Sequence, residues 1–264
     1  MRNFLLKRVI RNKNFYYSLI IANGISIFYI MFDIYPNAKY GGSPYTRWIG
    51  SFTGSQIPAV LFMLLPIISA MGFSDTYLKD KSTGLLNIIV SKGYGKQYYK
   101  ELFFTNFIVG GICFASSLLT NLYFCFMLLQ DEAVDMLVNG NGNVPLLFSN
   151  TLFPQFYYDH PLLHIVLYLI IAFIISGIYA SLALSLSFIL SNSFSVFLAP
   201  FVFNYIYNIL IPDIPESNSF LFTTFAKQIS GPILSPVIVL LVTVTFFLLC
   251  ILLYLVGIKR YENL

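Results

Sequence analysis

The chain has 264 residues, of which 58% are apolar and only 10% are charged, with a formal net charge of +4. Soluble domains contain roughly 25% charged residues, so this composition excludes an ordinary soluble domain. Apolar runs of about 18 residues or more recur along the chain, and such runs indicate transmembrane helices. The composition therefore predicts one all-α transmembrane domain over residues 1–264, without room for a soluble catalytic domain.

The first thirteen residues combine basic and apolar side chains ahead of the first long apolar run. Four apolar side chains can share one helix face: Phe4, Leu5, Val9 and Ile10. This pattern predicts an interfacial helix in the inner headgroup layer, and a basic tail that only sets the topology is the alternative. A cleaved signal peptide is disfavoured because no A-x-A-like site follows the apolar run.

Six apolar runs approach or exceed the length of about 20 residues that a membrane-spanning helix needs. The predicted spans are residues 15–33, 57–74, 102–129, 162–190, 194–211 and 233–257. Small residues in the third and fourth runs predict a close approach of these two helices, because helices without bulky side chains can pack backbone to backbone. These small residues include Gly110, Gly111, Gly177 and Ala180.

Lysine and arginine are divided unequally between the two sides of this arrangement. Twelve of the fifteen lie in the N-terminal tail, the second loop or the C-terminus, and three lie on the opposite side. Because cytoplasmic segments are enriched in Lys and Arg, both termini are predicted to be cytoplasmic. The chain is then a multi-pass protein of the cell membrane, and residues 75–101 form its one substantial cytoplasmic loop.

Motifs for enzymatic or metal chemistry are missing from the sequence. The end of the loop resembles a phosphate loop only in part, since Val90 stands where the first Gly is needed and Gln97 where Ser or Thr is needed. His160 and His164 are spaced at i, i+4 without a convincing further ligand, which favours a structural role. We therefore expect no catalytic residue, no metal site and no cofactor bound by this chain.

The interiors of the predicted spans contain no Asp, Glu, Lys or Arg. Ion-coupled carriers ordinarily place such residues within the bilayer, where they form the pathway. The energy for any transport is therefore expected to come from a different chain.

The cytoplasmic loop contains an ordered series of features: Asp80, Thr83-Gly84, Leu85-Leu86, Ser91 to Gly95, and Tyr99-Lys100. In this order they resemble the corresponding loop of the type-2 permease family of ATP-binding-cassette exporters. The six-span plan and the amphipathic N-terminus agree with that family over nearly the whole chain. One departure is Gly93-Tyr94-Gly95, where the family often has Pro.

The resemblance implies the transmembrane subunit of an ATP-driven exporter, whose coupling helix docks on a cytoplasmic ATPase. The residues expected to take part in this coupling are Asp80, Thr83, Gly84, Leu85, Leu86, Asn87, Ile88 and Ile89. An apolar stripe is expected on this helix at Leu85, Leu86, Ile88 and Ile89, with a cap from Ser82 or Thr83 and an end at Gly93. A surface helix that merely links two spans is the alternative.

ATP and Mg²⁺ are expected in the partner ATPase, and a second permease subunit, identical or different, would complete the transporter. Polar residues of the fifth span form a candidate pathway: Asn204, Tyr205, Tyr207 and Asn208. In the family the stretch before the last span forms re-entrant helices, and here it supplies a candidate outer gate: Phe220, Phe222 and Phe225. A plain extracellular loop is the alternative for this stretch.

The many Phe, Tyr and Ile residues along the spans indicate an amphipathic or apolar cargo, such as a peptide, a lipid-linked molecule or a drug, and nucleic acid is not an expected partner. Frequent Asn, Ile, Lys and Tyr indicate a low-GC bacterium. Two other classes of function remain open. One is a channel or secondary carrier that needs no ATPase, and the other is a non-transporting membrane scaffold or immunity protein.

Overall fold

The computed structural model describes residues 1–40, 42–51, 54–132, 150–210, 220–230 and 234–262. All regular elements in these ranges are helical, which confirms the predicted all-α fold. The α-helices are α1 (Arg2–Arg11), α2 (Lys13–Tyr29), α3 (Tyr35–Asn37), α4 (Pro44–Arg47), α5 (Gln56–Met71), α6 (Thr76–Ser82), α7 (Leu85–Ser91), α8 (Gly95–Leu128), α9 (Pro154–Asp159), α10 (Pro161–Leu186), α11 (Ser193–Leu210) and α12 (Pro236–Glu262). A π-helical segment, Ile30–Ile34, joins α2 to α3, and a 3₁₀ helix spans Phe222–Ala226.

Six helical segments in the described part of the chain are long and apolar enough to cross a membrane. They are Lys13–Asn37, Gln56–Ser82, Gly95–Leu128, Pro161–Leu186, Ser193–Leu210 and Pro236–Arg260. Each contains all or most of one predicted span. The chain is therefore a multi-pass membrane protein, and its described residues contain six candidate spanning helices, as predicted.

The ends of α8, α10 and α12 differ from the predicted span ends. α8 begins at Gly95 rather than at residue 102, because the intervening Lys, Gln and Glu residues are good helix formers as well as loop residues. α10 ends at Leu186 rather than at residue 190, and the Ser187 hydroxyl bonds back to the last turn. α12 begins at Pro236 and runs to Glu262, beyond the predicted end at residue 257.

α8 and α10 form the central helix pair, and small residues bring them together. A Cβ atom at Gly110 would lie 2.3 Å from the Cβ of Ala180, which is too close for two carbon atoms. Gly111 and Gly177 each lie against a Phe ring of the opposite helix. The predicted close approach of the third and fourth spans is therefore confirmed.

Polar side chains inside the bundle bond to the backbones of neighbouring helices. Asn106 of α8 donates to the Ala180 carbonyl over 2.7 Å, and Ser74 donates to the same carbonyl over 3.1 Å. Ser18 of α2 donates to the Ile68 carbonyl of α5 over 2.6 Å. These bonds join α2, α5, α8 and α10, and they satisfy polar groups that neither lipid nor water could satisfy there.

α2, α11 and α12 lie at the periphery of the bundle. Of the 18 most apolar consecutive residues of α11 only 17% are buried, compared with 61% for α8. The outward side chains of these helices are largely apolar, as at Ile20, Ile206 and Leu240. Because extended apolar faces are not stable in water, these helices must contact lipid or a second chain.

Candidate functional site

Residues 75–101 fold as α6, α7 and the beginning of α8, and α1 packs against the same end of the bundle. We call α1, α6, α7 and the first turn of α8 the loop assembly. It lies where α5 ends and α8 begins. Side-chain hydrogen bonds join α1, α6 and α8, and the buried side chains of α7 pack against the bundle.

The Thr83-Gly84 pair forms the corner between α6 and α7. Gly84 has a φ of +73°, a left-handed conformation that residues with a Cβ atom rarely adopt. The Thr83 hydroxyl donates to the Lys79 carbonyl over 2.8 Å, and Ser82 bonds to the same carbonyl. The predicted capping of α7 by Ser82 or Thr83 is therefore wrong, because both hydroxyls close the end of α6 instead and Gly84 occupies the cap position.

Gly93, the predicted end of α7, has a φ of +79°. The Gly93 N–H donates to the Val90 carbonyl over 2.9 Å, and the Tyr94 N–H donates to the Ile89 carbonyl over 3.1 Å. Together these bonds form a Schellman motif, in which glycine supplies the left-handed residue after a helix. Gly93 thus ends α7, and α8 begins at Gly95.

Asp80 joins three parts of the loop assembly. The Arg8 guanidinium of α1 contacts both carboxylate oxygens, with 2.7 Å between Nη1 and Oδ2. Tyr98 of α8 donates its hydroxyl to the same carboxylate. The Asp80 side chain is 1% exposed and that of Arg8 is 26% exposed. Burial lowers the pKa of Arg8, but hydrogen bonding and charge attraction to Asp80 raise that pKa above its ordinary value, which keeps the guanidinium charged.

A second set of contacts fixes the junction between α1 and α2. Asn12, at this junction, donates to the Gly72 carbonyl over 3.1 Å. Asn14 donates to the buried carboxylate of Asp75 over 3.2 Å, and Lys79 pairs with the same carboxylate at 2.9 Å. The start of α2 is thereby attached to the segment that links α5 to α6.

α7 turns one side toward the bundle and the other side outward. Leu86 and Ile89 are buried, whereas Ile88 is 52% exposed and Val90 is 39% exposed. The predicted stripe of four apolar residues is therefore divided between two faces, since each residue turns a helix by about 100°. Among the predicted coupling residues, Asp80, Leu86 and Ile89 are buried, Gly84 and Leu85 are partly exposed, and Thr83, Asn87 and Ile88 are exposed.

The four residues of the candidate pathway lie on two faces of α11. Asn204 is buried and accepts a 2.5 Å hydrogen bond from a tyrosine of α10. Tyr207 donates to a backbone carbonyl of the segment 220–230 over 2.8 Å. Tyr205 and Asn208 are exposed on the other face. Asn204 and Tyr207 thus contact neighbouring elements of the bundle. Tyr205 and Asn208 face away from the bundle.

The segment 220–230 folds back into the bundle. Of the three residues of the candidate outer gate, Phe222 and Phe225 are fully buried and Phe220 is partly buried. The Phe222 ring lies 5.3 Å from that of Tyr179, in the C-terminal half of α10, and stacks on Phe246 of α12 at 4.7 Å. Further along, Gln228 bonds to His164 in the first turn of α10. The segment therefore runs along α10 from inside the bundle to its end.

Trp48, Gln228 and His164 form a buried chain of hydrogen bonds at this end of the bundle. Trp48 Nε1 donates to Gln228 Oε1 over 2.5 Å, and Gln228 Nε2 donates to His164 Nδ1 over 2.8 Å. The remaining ring nitrogen, Nε2, donates to the Leu152 carbonyl over 2.7 Å. Both nitrogens of His164 are occupied and His160 is exposed, so the two rings do not converge on a metal ion.

Among the residues that the structure describes, no three His, Cys, Asp or Glu side chains are grouped as metal ligands would be. The three cysteines lie apart as buried free thiols. Each is enclosed by helices, so they serve as small packing residues.

Sequence reasoning did not identify Arg8, Tyr98 or Gln228 as organising residues. Arg8 and Asp80 are 72 positions apart, and no local pattern relates them. One signal was present in α1, where Arg8 falls on the same side as the buried Leu5 and Val9. A cation that becomes buried beside such side chains is ordinarily paired with a carboxylate.

Comparisons of the chain with protein-family models, with curated proteins and with solved structures find no match.

Proposed function

We propose that this chain is the transmembrane permease subunit of an ATP-driven exporter of the ATP-binding-cassette type. It would lie in a bacterial cell membrane with both termini in the cytoplasm, and two such subunits would work with two separate ATPases. The loop assembly is the observation that carries the proposal. Its parts are bonded to one another through Asp80 and joined to the spans, and it exposes the apolar side chain of Ile88 on the outer side of α7.

The connections of the loop assembly suit the transmission of a push to the membrane helices. α8 is one unbroken helix of 34 residues. At 1.5 Å per residue it is about 50 Å long, more than the hydrocarbon core of about 30 Å. Because Asp80 ties its first turn to α1 and α6, a displacement of α7 moves α8, α1 and the end of α5 together.

The exposed side of α7 is the surface offered to the ATPase. Asn87 lies near the centre of this side, and the apolar side chain of Ile88, 52% exposed, lies beside it. Buried Leu86 and Ile89 anchor the opposite side, so force applied at Ile88 is carried into the bundle. ATP and Mg²⁺ would bind in the ATPase, whose closure supplies the energy.

The exposed face of α11 supports a path between two subunits. Tyr205 and Asn208 place polar groups on a face that contacts lipid or a second chain. Asn204 and Tyr207 support this helix from behind, next to the segment 220–230. In this proposal Phe220, Phe222 and Phe225 close the outer exit, and the cargo is amphipathic or apolar.

The exposed side of α1 is consistent with a position in the inner headgroup layer. Leu6 and Ile10 are 41% and 63% exposed and lie beside the buried Leu5 and Val9. The helix thus offers one apolar strip to the protein and another to lipid, with its remaining cations around them. In this position α1 would follow any movement of Asp80 along the membrane surface.

Photo-crosslinking from the exposed side of α7 tests the proposal. A benzoylphenylalanine residue replaces Ile88 in a tagged chain expressed in its own host, and the crosslinked product is identified by mass spectrometry. We expect a nucleotide-binding ATPase. The matched control carries the same residue at Gln155, which is exposed at the opposite end of the bundle and should capture no ATPase.

A second measurement separates coupling from folding. Ile88→Asp changes an exposed residue, so it should preserve the fold and weaken ATPase binding. Leu86→Asp places a charge in the interior and should disrupt the loop assembly itself. Transport by the purified chain alone would instead identify a channel or carrier. Absence of transport together with capture of a toxin would identify an immunity protein, and either result overturns the proposal.

A further inference from the structure

A groove of about 710 Å³ lies between the first turns of α8 and the last turns of α12. It occupies the side of α8 opposite Tyr98, because Lys96, Lys100 and Phe103 follow one another on a single helix face. Most of its lining is apolar or aromatic. Neither the hydrogen bonds of Asp80 nor the exposed side of α7 belongs to this groove.

The floor of the groove is closed by aromatic side chains. The Tyr254 hydroxyl donates to the Tyr99 carbonyl over 2.9 Å and so joins α12 to α8. The Phe103 ring lies 5.0 Å from that of Tyr254 and 6.2 Å from that of Phe247. The groove therefore does not continue into the bundle. It faces outward between walls that include Phe104, 53% exposed, and Leu252, 63% exposed.

Three lysines stand at one end of the groove. Lys96 and Lys100 lie one turn apart on α8, and Lys259 lies near the end of α12. All three are exposed, and none forms an ion pair with a described residue. No carboxylate among the described side chains lines the groove, and Glu101, beside Lys100 in the sequence, projects from a different face of α8. Among the side chains that the structure describes, the lining at this end therefore carries three positive charges and no negative charge.

We propose that this groove binds an anionic phospholipid, with an acyl chain on the aromatic floor and the phosphate at the three lysines. The dimensions agree with this occupant. Between Lys259 and Phe247, α12 rises about 18 Å at 1.5 Å per residue, close to the depth of one leaflet of a core about 30 Å thick. Basic pockets between membrane helices are established sites for anionic headgroups. The site requires no ATPase, so it is independent of the proposed transport function.

Native mass spectrometry of the detergent-solubilised protein tests the site with defined lipids. The full chain is titrated with phosphatidylglycerol, with phosphatidylcholine of the same acyl composition, and with inorganic phosphate. We expect a first phosphatidylglycerol to bind at least tenfold more tightly than phosphatidylcholine. At about fivefold for each lysine, the triple variant Lys96→Gln, Lys100→Gln and Lys259→Gln should lose on the order of a hundredfold in phosphatidylglycerol affinity.

Two controls distinguish lipid binding in the groove from general electrostatic attraction of anionic lipid to the protein. Lys7→Gln, Lys13→Gln and Lys92→Gln together remove the same charge from exposed positions outside the groove and should leave the preference intact. Leu252→Asn changes a wall of the groove without changing charge and should weaken retention of both lipids. Because all these residues are exposed, the variants should fold, and thermal unfolding verifies this.

Several outcomes would overturn the proposal. Equal affinity for both lipids would show that the lysines do not select the headgroup. An equal loss in the two triple variants would show only diffuse electrostatic attraction. Displacement of the lipid by inorganic phosphate would identify a headgroup-only anion site, and crosslinks from Leu252 to a second copy of the chain would identify a subunit interface.

Discussion

Replacing Arg8 by Met should destabilise the protein more than replacing Asp80 by Asn, although both changes break the same ion pair. In the Arg8→Met variant the carboxylate of Asp80, 1% exposed, loses its cationic partner and keeps Tyr98 as its donor. In the Asp80→Asn variant the Arg8 side chain, already 26% exposed, can turn toward water. Leaving a buried charge unpaired lowers the free energy of unfolding by about 3–5 kcal/mol. Because the Tyr98 hydrogen bond remains, we expect about 3 kcal/mol for Arg8→Met. Asp80→Asn should cost about 1 kcal/mol, the contribution of an ordinary hydrogen bond.

Thermal unfolding in detergent measures this difference. Cys113, Cys125 and Cys250 are all buried, so a thiol-reactive fluorogenic dye labels the protein only as it unfolds. At about 2–4 °C per kcal/mol for a chain of this size, Arg8→Met should lower Tm by about 6–12 °C and Asp80→Asn by about 2–4 °C. Amide hydrogen exchange in α1 would show whether this helix detaches before the bundle unfolds.

The control is Arg11→Met, which removes an exposed cation from the same helix and should leave Tm unchanged. The double variant Arg8→Met, Asp80→Asn should be more stable than Arg8→Met alone, because it no longer buries an unpaired charge. The reasoning is refuted if Asp80→Asn proves the more harmful change. It is equally refuted if Arg8→Met keeps the original Tm and the original exchange rates in α1.

Three further predictions concern individual glycine and glutamine positions. Gly110→Val should push α8 away from α10 and lower the free energy of unfolding by about 1–3 kcal/mol. Gly24→Ala adds a methyl group in open space and should stabilise α2 by up to about 1 kcal/mol, and thermal unfolding compares the two variants. Gly84→Ala should cost about 1–2 kcal/mol through left-handed backbone strain without a steric clash, and faster hydrogen exchange in α6 and α7 would report it. Gln228→Leu should cost about 1–3 kcal/mol by removing the acceptor of the indole N–H of Trp48, and a changed fluorescence spectrum of this single tryptophan would accompany the loss.

The features that sequence reasoning predicted correctly are those that depend on local properties. The length of an apolar run is related directly to bilayer thickness, so the central part of each of the six spans could be predicted from the sequence. Gly93 could be predicted to end α7 because a left-handed residue after a helix requires glycine locally. Gly110 and Gly177 could likewise be predicted to pack closely, since their lack of a side chain is itself the cause.

Contacts between distant segments could not be predicted in this way. Whether Leu5 and Val9 face lipid or protein depends on how α1 folds back beside α8, and the structure buries both against the protein. The division of α7 into a buried and an exposed side similarly depends on the direction from which Leu86 meets the bundle. The partners of Asp80 follow from the same long-range arrangement, since Arg8 is brought to it across 72 positions.

The unbroken course of α8 restricts how this sequence can diverge. Near its start Tyr98 bonds to Asp80, in its middle Asn106 bonds to α10, and near its end Asn121 accepts the backbone N–H of Ile49 over 2.8 Å. A helix turns by about 100° per residue, so one inserted or deleted residue between these positions would rotate at least one contact away from its partner. Divergent sequences should therefore keep the length of α8 to the residue and change it only by substitution.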